Sequence, residues 1–67
     1  MQVSELIQGP ELLSPDEVAA RLNVERHMVY ALVRYGELRA IRVGRLLRIP
    51  ADAVARYIAA GGSRVRA

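Results

Sequence analysis

Cysteine and lysine are both missing from this chain, and so is any long apolar run. Without cysteine, neither a disulfide framework nor a thiolate metal site can supplement the single small core that 67 residues allow. His27 is the only histidine, so no metal site is expected. No nucleophile or acid pair stands at a spacing that suggests catalysis, so no enzyme and no cofactor are expected either. No segment approaches the ~20 apolar residues of a membrane span, and Met1 to Pro10 lacks the basic start and apolar core of a signal peptide. The hydrophobic fraction of 52% includes ten alanines, so large apolar side chains are scarcer than it implies. A thin core of modest stability is the expectation.

What is present is unevenly placed. Residues 1–25 carry one arginine against five acids, net −4, whereas residues 26–67 carry nine arginines against two acids, net +7. A basic second half points to a polyanionic partner. All ten basic residues are arginine. Arginine suits bidentate phosphate and guanine contacts, but a GC-rich genome would give the same bias, so nothing rests on it.

Ser14-Pro15-Asp16-Glu17 is a capping box with proline at the first helical position. It predicts a helix over about 15–22, with Val18, Ala19 and Leu22 on one face and Leu13 packing from outside the cap. A second helix should run from Glu25 or Arg26 to Tyr35 and stop at a left-handed Gly36. Val29, Leu32 and Val33 form its apolar face, with Val24 and Met28 alongside. Arg26, His27, Tyr30 and Arg34 fall on the opposite, polar side. Two strands, Leu38 to Val43 and Leu46 to Ile49, read as a hairpin about a primed turn at Gly44-Arg45. Its register pairs Val43 with Leu46, Arg42 with Leu47, Ile41 with Arg48 and Ala40 with Ile49. Alternation does not say which face of the hairpin is buried. A last helix, about 51–60, carries Val54, Tyr57 and Ile58 as its stripe and ends at Gly61-Gly62. Tyr35 and Tyr57 are expected to be partly buried. Residues 1–10 form an N-terminal arm, 11–60 the domain, and 61–67 a basic tail expected to be disordered.

This order of elements carries a resemblance. The run Leu12 to Val24 (LLSPDEVAARLNV), the continuation Val29 to Arg45 (VYALVRYGELRAIRVGR) and the closing Arg48-Ile49-Pro50 resemble the excisionase-type, MerR-like winged helix-turn-helix family. The resemblance implies a mainly α fold with a small β-hairpin: helix-turn-helix, two-stranded wing, C-terminal helix. It implies that the second helix enters the major groove of DNA while the Gly44-Arg45 tip reaches the adjacent minor groove. This chain departs from the family at three places. Asn23 stands where glycine is usual, and asparagine tolerates the left-handed turn. Glu25, not serine or threonine, precedes the second helix. Leu47 stands where the wing commonly has an aromatic.

Within that reading, Arg26, His27, Tyr30, Ala31 and Arg34 are the candidate recognition-helix contacts, and Arg42, Gly44, Arg45 and Arg48 the wing contacts. Arg45 is the first choice in the wing, because a turn residue projects furthest and a narrow minor groove attracts arginine. Double-stranded DNA is the expected partner. An integrase and further copies on repeated sites are candidates beside it, and neither a membrane nor a small-molecule effector is expected. The protein should be cytoplasmic and associated with the nucleoid when bound. An excisionase-like architectural role is favoured, with a small MerR-like transcriptional regulator as the alternative and an interaction adaptor or antitoxin as the third.

Overall fold

The computed structural model describes residues 11–63. The arm at 1–10 and the end of the tail at 64–67 lie outside the described residues. Six elements follow in order: β1 (Leu12–Leu13), α1 (Pro15–Leu22), α2 (Arg26–Arg34), β2 (Ile41–Val43), β3 (Leu46–Pro50) and α3 (Ala51–Ala59). The strands form one antiparallel sheet in the order β1-β3-β2.

The start of α1 is written in its first four residues. The Glu17 backbone N–H donates to Ser14 Oγ at 3.1 Å, and the Ser14 backbone N–H donates to Glu17 Oε1 at 2.8 Å. Two of the helix's unpartnered donors are thereby satisfied reciprocally. The helix stops at Asn23, whose φ of 58° is left-handed; the Val24 N–H then donates to the Ala19 carbonyl at 2.9 Å. That closure turns the chain into α2. The second helix ends as expected, with Gly36 at φ 75° and the Glu37 N–H returning to the Leu32 carbonyl at 2.8 Å.

The hairpin register agrees with expectation where strands form: Ile41 opposite Arg48, Arg42 opposite Leu47, Val43 opposite Leu46. The structure also settles which face is buried. Leu47 and Ile49 point inward, while Ile41, Val43 and Leu46 stand exposed on the outer face. Gly44 has φ 62°, and Arg45 is not among the positive-φ residues, the pattern of a type II′ turn.

The core joins all of these elements but β2. Leu13, Val18, Ala19, Val29, Leu32, Leu38, Ile49 and Val54 form one buried cluster, with no buried polar side chain among the described residues. Burying a side chain of this size contributes about 1.5–3 kcal/mol.

Several expectations are corrected. A third strand, β1, pairs Leu13 with Ile49 and Leu12 with Pro50; two residues are too few for any period to reveal it. The first hairpin strand begins at Ile41 and not Leu38, because Leu38 turns inward as a core residue before the ladder starts. Val24 lies 39% exposed, since it follows the left-handed Asn23 and belongs to neither helix face. Ile58 is 54% exposed: α3 packs against the core through Val54, Ala53 and Tyr57, and Ile58 stands beside that face. Tyr35 is 67% exposed at the C-cap of α2, whereas Tyr57 is partly buried as expected, its hydroxyl 2.7 Å from Ser63 Oγ.

Two expected outcomes follow. Ala19 is 7% exposed on the α1 face of the core cluster, so Ala19→Leu should overpack it and lower stability by about 1–3 kcal/mol, read as a fall in melting temperature. The Ser14 backbone N–H holds the Glu17 carboxyl below its ordinary value, with desolvation opposing it. A depressed folded-state value gives stability that is full above the unfolded value, about 4.3, and lost as pH falls through the folded one. The melting temperature should therefore drop on acidification through that window, and Glu17→Gln should show a shallower drop in the same titration.

Candidate nucleic-acid interface

The recognition-helix candidates are brought together by the period of α2. Arg26, Tyr30 and Arg34 follow at four-residue steps, with His27 beside them, and all four are exposed while Val29 and Leu32 are buried behind them. Ala31 is half-buried at the edge of this arc.

The wing meets that arc. Arg42 shares the inward face of the hairpin with its partner Leu47, and at the free end of the sheet this face looks toward α2. The result is an open cleft of about 490 Å³ between helix and hairpin. His27, Tyr30, Ala31 and Arg34 line one side and Arg42 the other, over apolar Val33 and Leu47. Arg34 and Arg42 give the cleft two cations, and none of its lining residues is acidic.

The remaining candidates are placed apart. Gly44 and Arg45 form the exposed tip. Arg48 lies on the outer face opposite Ile41, half-buried, and its Nη1 donates to the Leu47 carbonyl at 2.7 Å. Arg26 does not line the cleft; its Nε lies 3.5 Å from Asp16 Oδ1 of α1. Arg39, in line with the wing arginines by spacing, instead borders a groove of about 410 Å³ facing α3, beside Glu37, Asp52 and Arg56. Reading the residues one by one missed Val33 and Leu47 as the floor of the cleft. The pairing of Leu47 with Arg42 was the signal that held it.

The α2 N-terminus has no side-chain cap from Glu25 and no acid in its first turn. Its orphan N–H groups and positive dipole end are left beside Arg26 and His27. Among the described residues, no cluster of three or more His, Cys, Asp or Glu is placed to hold a metal, and no helix is long and apolar enough to cross a membrane.

A helix-turn-helix whose second helix shows an arginine-bearing face to a cleft flanked by a β-hairpin is a winged helix-turn-helix, a DNA-binding architecture. Comparison with known proteins agrees. Residues 12–62 match the family described as helix-turn-helix domain. The chain is similar to an excisionase of Streptomyces ambofaciens, 47% identical over 49 residues, which are 73% of this chain and 79% of that protein. It is also similar to a probable excisionase of Saccharopolyspora erythraea, 46% identical over 48 residues, covering 72% of this chain and 49% of that one. A putative DNA-binding protein of Mycobacterium tuberculosis is 52% identical over 44 residues, 66% of this chain and 56% of its own. This chain belongs to the excisionase-type helix-turn-helix DNA-binding family. No solved structure gives a significant match.

The turn at the tip rests on one positive backbone angle. A Cβ added at Gly44 would meet nothing within 4 Å, so the cost of a substitution there is the positive φ itself. Gly44→Val should strain the hairpin by about 1–3 kcal/mol, lowering melting temperature and DNA affinity together.

Proposed function

We propose that this protein binds double-stranded DNA sequence-specifically, with α2 in the major groove and the Gly44-Arg45 tip in the adjacent minor groove, and performs no catalysis of its own. The observation that carries this is the cleft, which is lined by Arg34 of α2 and Arg42 of the hairpin and has no acid among its lining residues. A duplex seated on α2 would place a phosphate strand beside the hairpin, where the Arg42 guanidinium meets its charge while Arg34 faces the groove. In this reading Arg26, His27, Tyr30, Ala31 and Arg34 contact the major groove or the phosphates bordering it, and Arg42, Gly44, Arg45 and Arg48 contact the backbone and minor groove. The DNA-binding unit is taken as residues 11–60.

The names of two relatives, excisionase and probable excisionase, support an architectural role in recombination. We assign this protein an excisionase-like function: it shapes attachment-site DNA for an integrase, as several copies on repeated sites, in the cytoplasm and on the nucleoid. A single small module buries limited DNA surface, which favours several copies over one.

Selection of bound sequences from random duplexes should yield a repeated half-site. On that target Arg34→Ala is expected to weaken binding by about 1–3 kcal/mol while affecting random duplex less; an equal loss on both makes Arg34 a phosphate contact. Arg45→Ala should leave the melting temperature unchanged and reduce the salt slope of DNA binding by about one unit. Parent-like binding at several salt concentrations would remove the wing from the interface. A bend in attachment-site DNA, measured by electrophoresis, marks the excisionase role; straight DNA with promoter-linked sites marks a transcriptional regulator.

A further inference from the structure

Asp16 stands where a DNA-binding surface has least use for an acid. It is the second residue of α1, yet its carboxylate lies 3.5 Å from Arg26 Nε at the first position of α2. This is the one ion pair joining the two helices among the described residues. Arg26 opens the four-residue series Arg26, Tyr30, Arg34 along the exposed arc, so a duplex docked on that arc comes within reach of both partners. Asp16 has no part in the cap of its own helix, which Ser14 and Glu17 close between them. Its charge suits the positive end of α1, and its carboxylate also reaches across to α2.

We infer that Asp16 sets the discrimination between target and random DNA by holding Arg26 away from phosphates until the recognition helix is fully seated. The inference rests on the DNA-binding reading above. Both side chains are well exposed, 62% for Arg26 and 72% for Asp16, and such a surface pair is weak. A phosphate held at a fixed place beside the first turn of α2 can take Arg26 from it. Random duplex is held loosely through its backbone and offers no phosphate at a fixed place. Arg26 then stays with Asp16. The pair thus withholds one phosphate contact from non-specific complexes and yields it to the specific one.

The test uses the full chain, a duplex selected from a random library as target and a scrambled duplex of equal length. Affinity is measured against salt concentration, with circular-dichroism melts confirming that each variant is folded. In Asp16→Asn the salt slope on scrambled duplex should steepen by about one unit, the share of a single phosphate, with a several-fold gain in affinity. The slope on target should stay as in the parent. Adding Arg26→Ala to that variant should return the scrambled slope to the parent's value. Arg26→Ala alone should cost about one unit of slope on target and none on scrambled duplex. Equal steepening on both duplexes, no change on either, or a gain that survives loss of Arg26 each overturns the inference. A parent protein with no salt-dependent affinity for either duplex overturns the DNA-binding reading itself, and this inference with it.

Discussion

β3 is bonded on both sides, to β1 through Leu13 opposite Ile49 and to β2 through Arg42 opposite Leu47, and α1 and α3 both pack upon it. Its residues alternate in the manner a strand demands, so Leu47 and Ile49 face the helices while Leu46 and Arg48 face away. Ile49, with no exposed surface, pairs with Leu13 of β1 and joins the core cluster with the helices. A slip of one residue in the hairpin would turn Ile49 to solvent and bring Arg48 into an apolar core, so the register is held by burial as well as by the turn. The wing is therefore no appendage. The strand that supports its tip is the strand around which the core is built.

That construction gives a small domain a defined angle between helix and hairpin. α2 is fixed against α1 by the left-handed turn at Asn23 and by Val18, Ala19, Val29 and Leu32. The hairpin is fixed to the same cluster through Ile49, with Leu38 packing where the chain leaves α2 for the wing. The cleft lies between two surfaces anchored on one core. With no side chain in that core larger than leucine or isoleucine, the angle depends on a few close contacts.

The helices and the turns were legible in the sequence because each is governed locally. Ser14, Pro15 and Glu17 state a helix start; Asn23, Gly36 and Gly44 each take the positive backbone angle expected of them. The hairpin pairing followed from the length of its turn. The face of the hairpin did not, because both faces mix arginine with aliphatic residues, and only contact with the helices decides between them. β1 was invisible for a similar reason: Leu12 and Leu13 are a strand by virtue of β3. Val24 and Ile58 were assigned to the core by helical spacing alone, but spacing says which way a side chain points and not whether anything lies there. For the candidate site, the α2 arc was legible as a helical face, and its division was not. The ion pair from Asp16 removes Arg26 from the arginines standing unpaired, and it crosses ten residues of sequence.

Four arginines at three-residue intervals might be taken for one basic patch, but the hairpin distributes them. Arg39 borders the groove on the α3 side near Glu37 and Asp52, Arg42 enters the cleft, Arg45 stands at the tip, and Arg48 lies outward against its own backbone. A strand alternates by two and a turn reverses its direction, so a period of three cannot keep residues together. Net charge consequently understates how selectively this domain meets a polyanion. Of its basic side chains, Arg34 and Arg42 share the cleft between helix and wing, which has no acid among its lining residues. Charge elsewhere draws DNA to the surface; in the proposed binding mode these two orient it there.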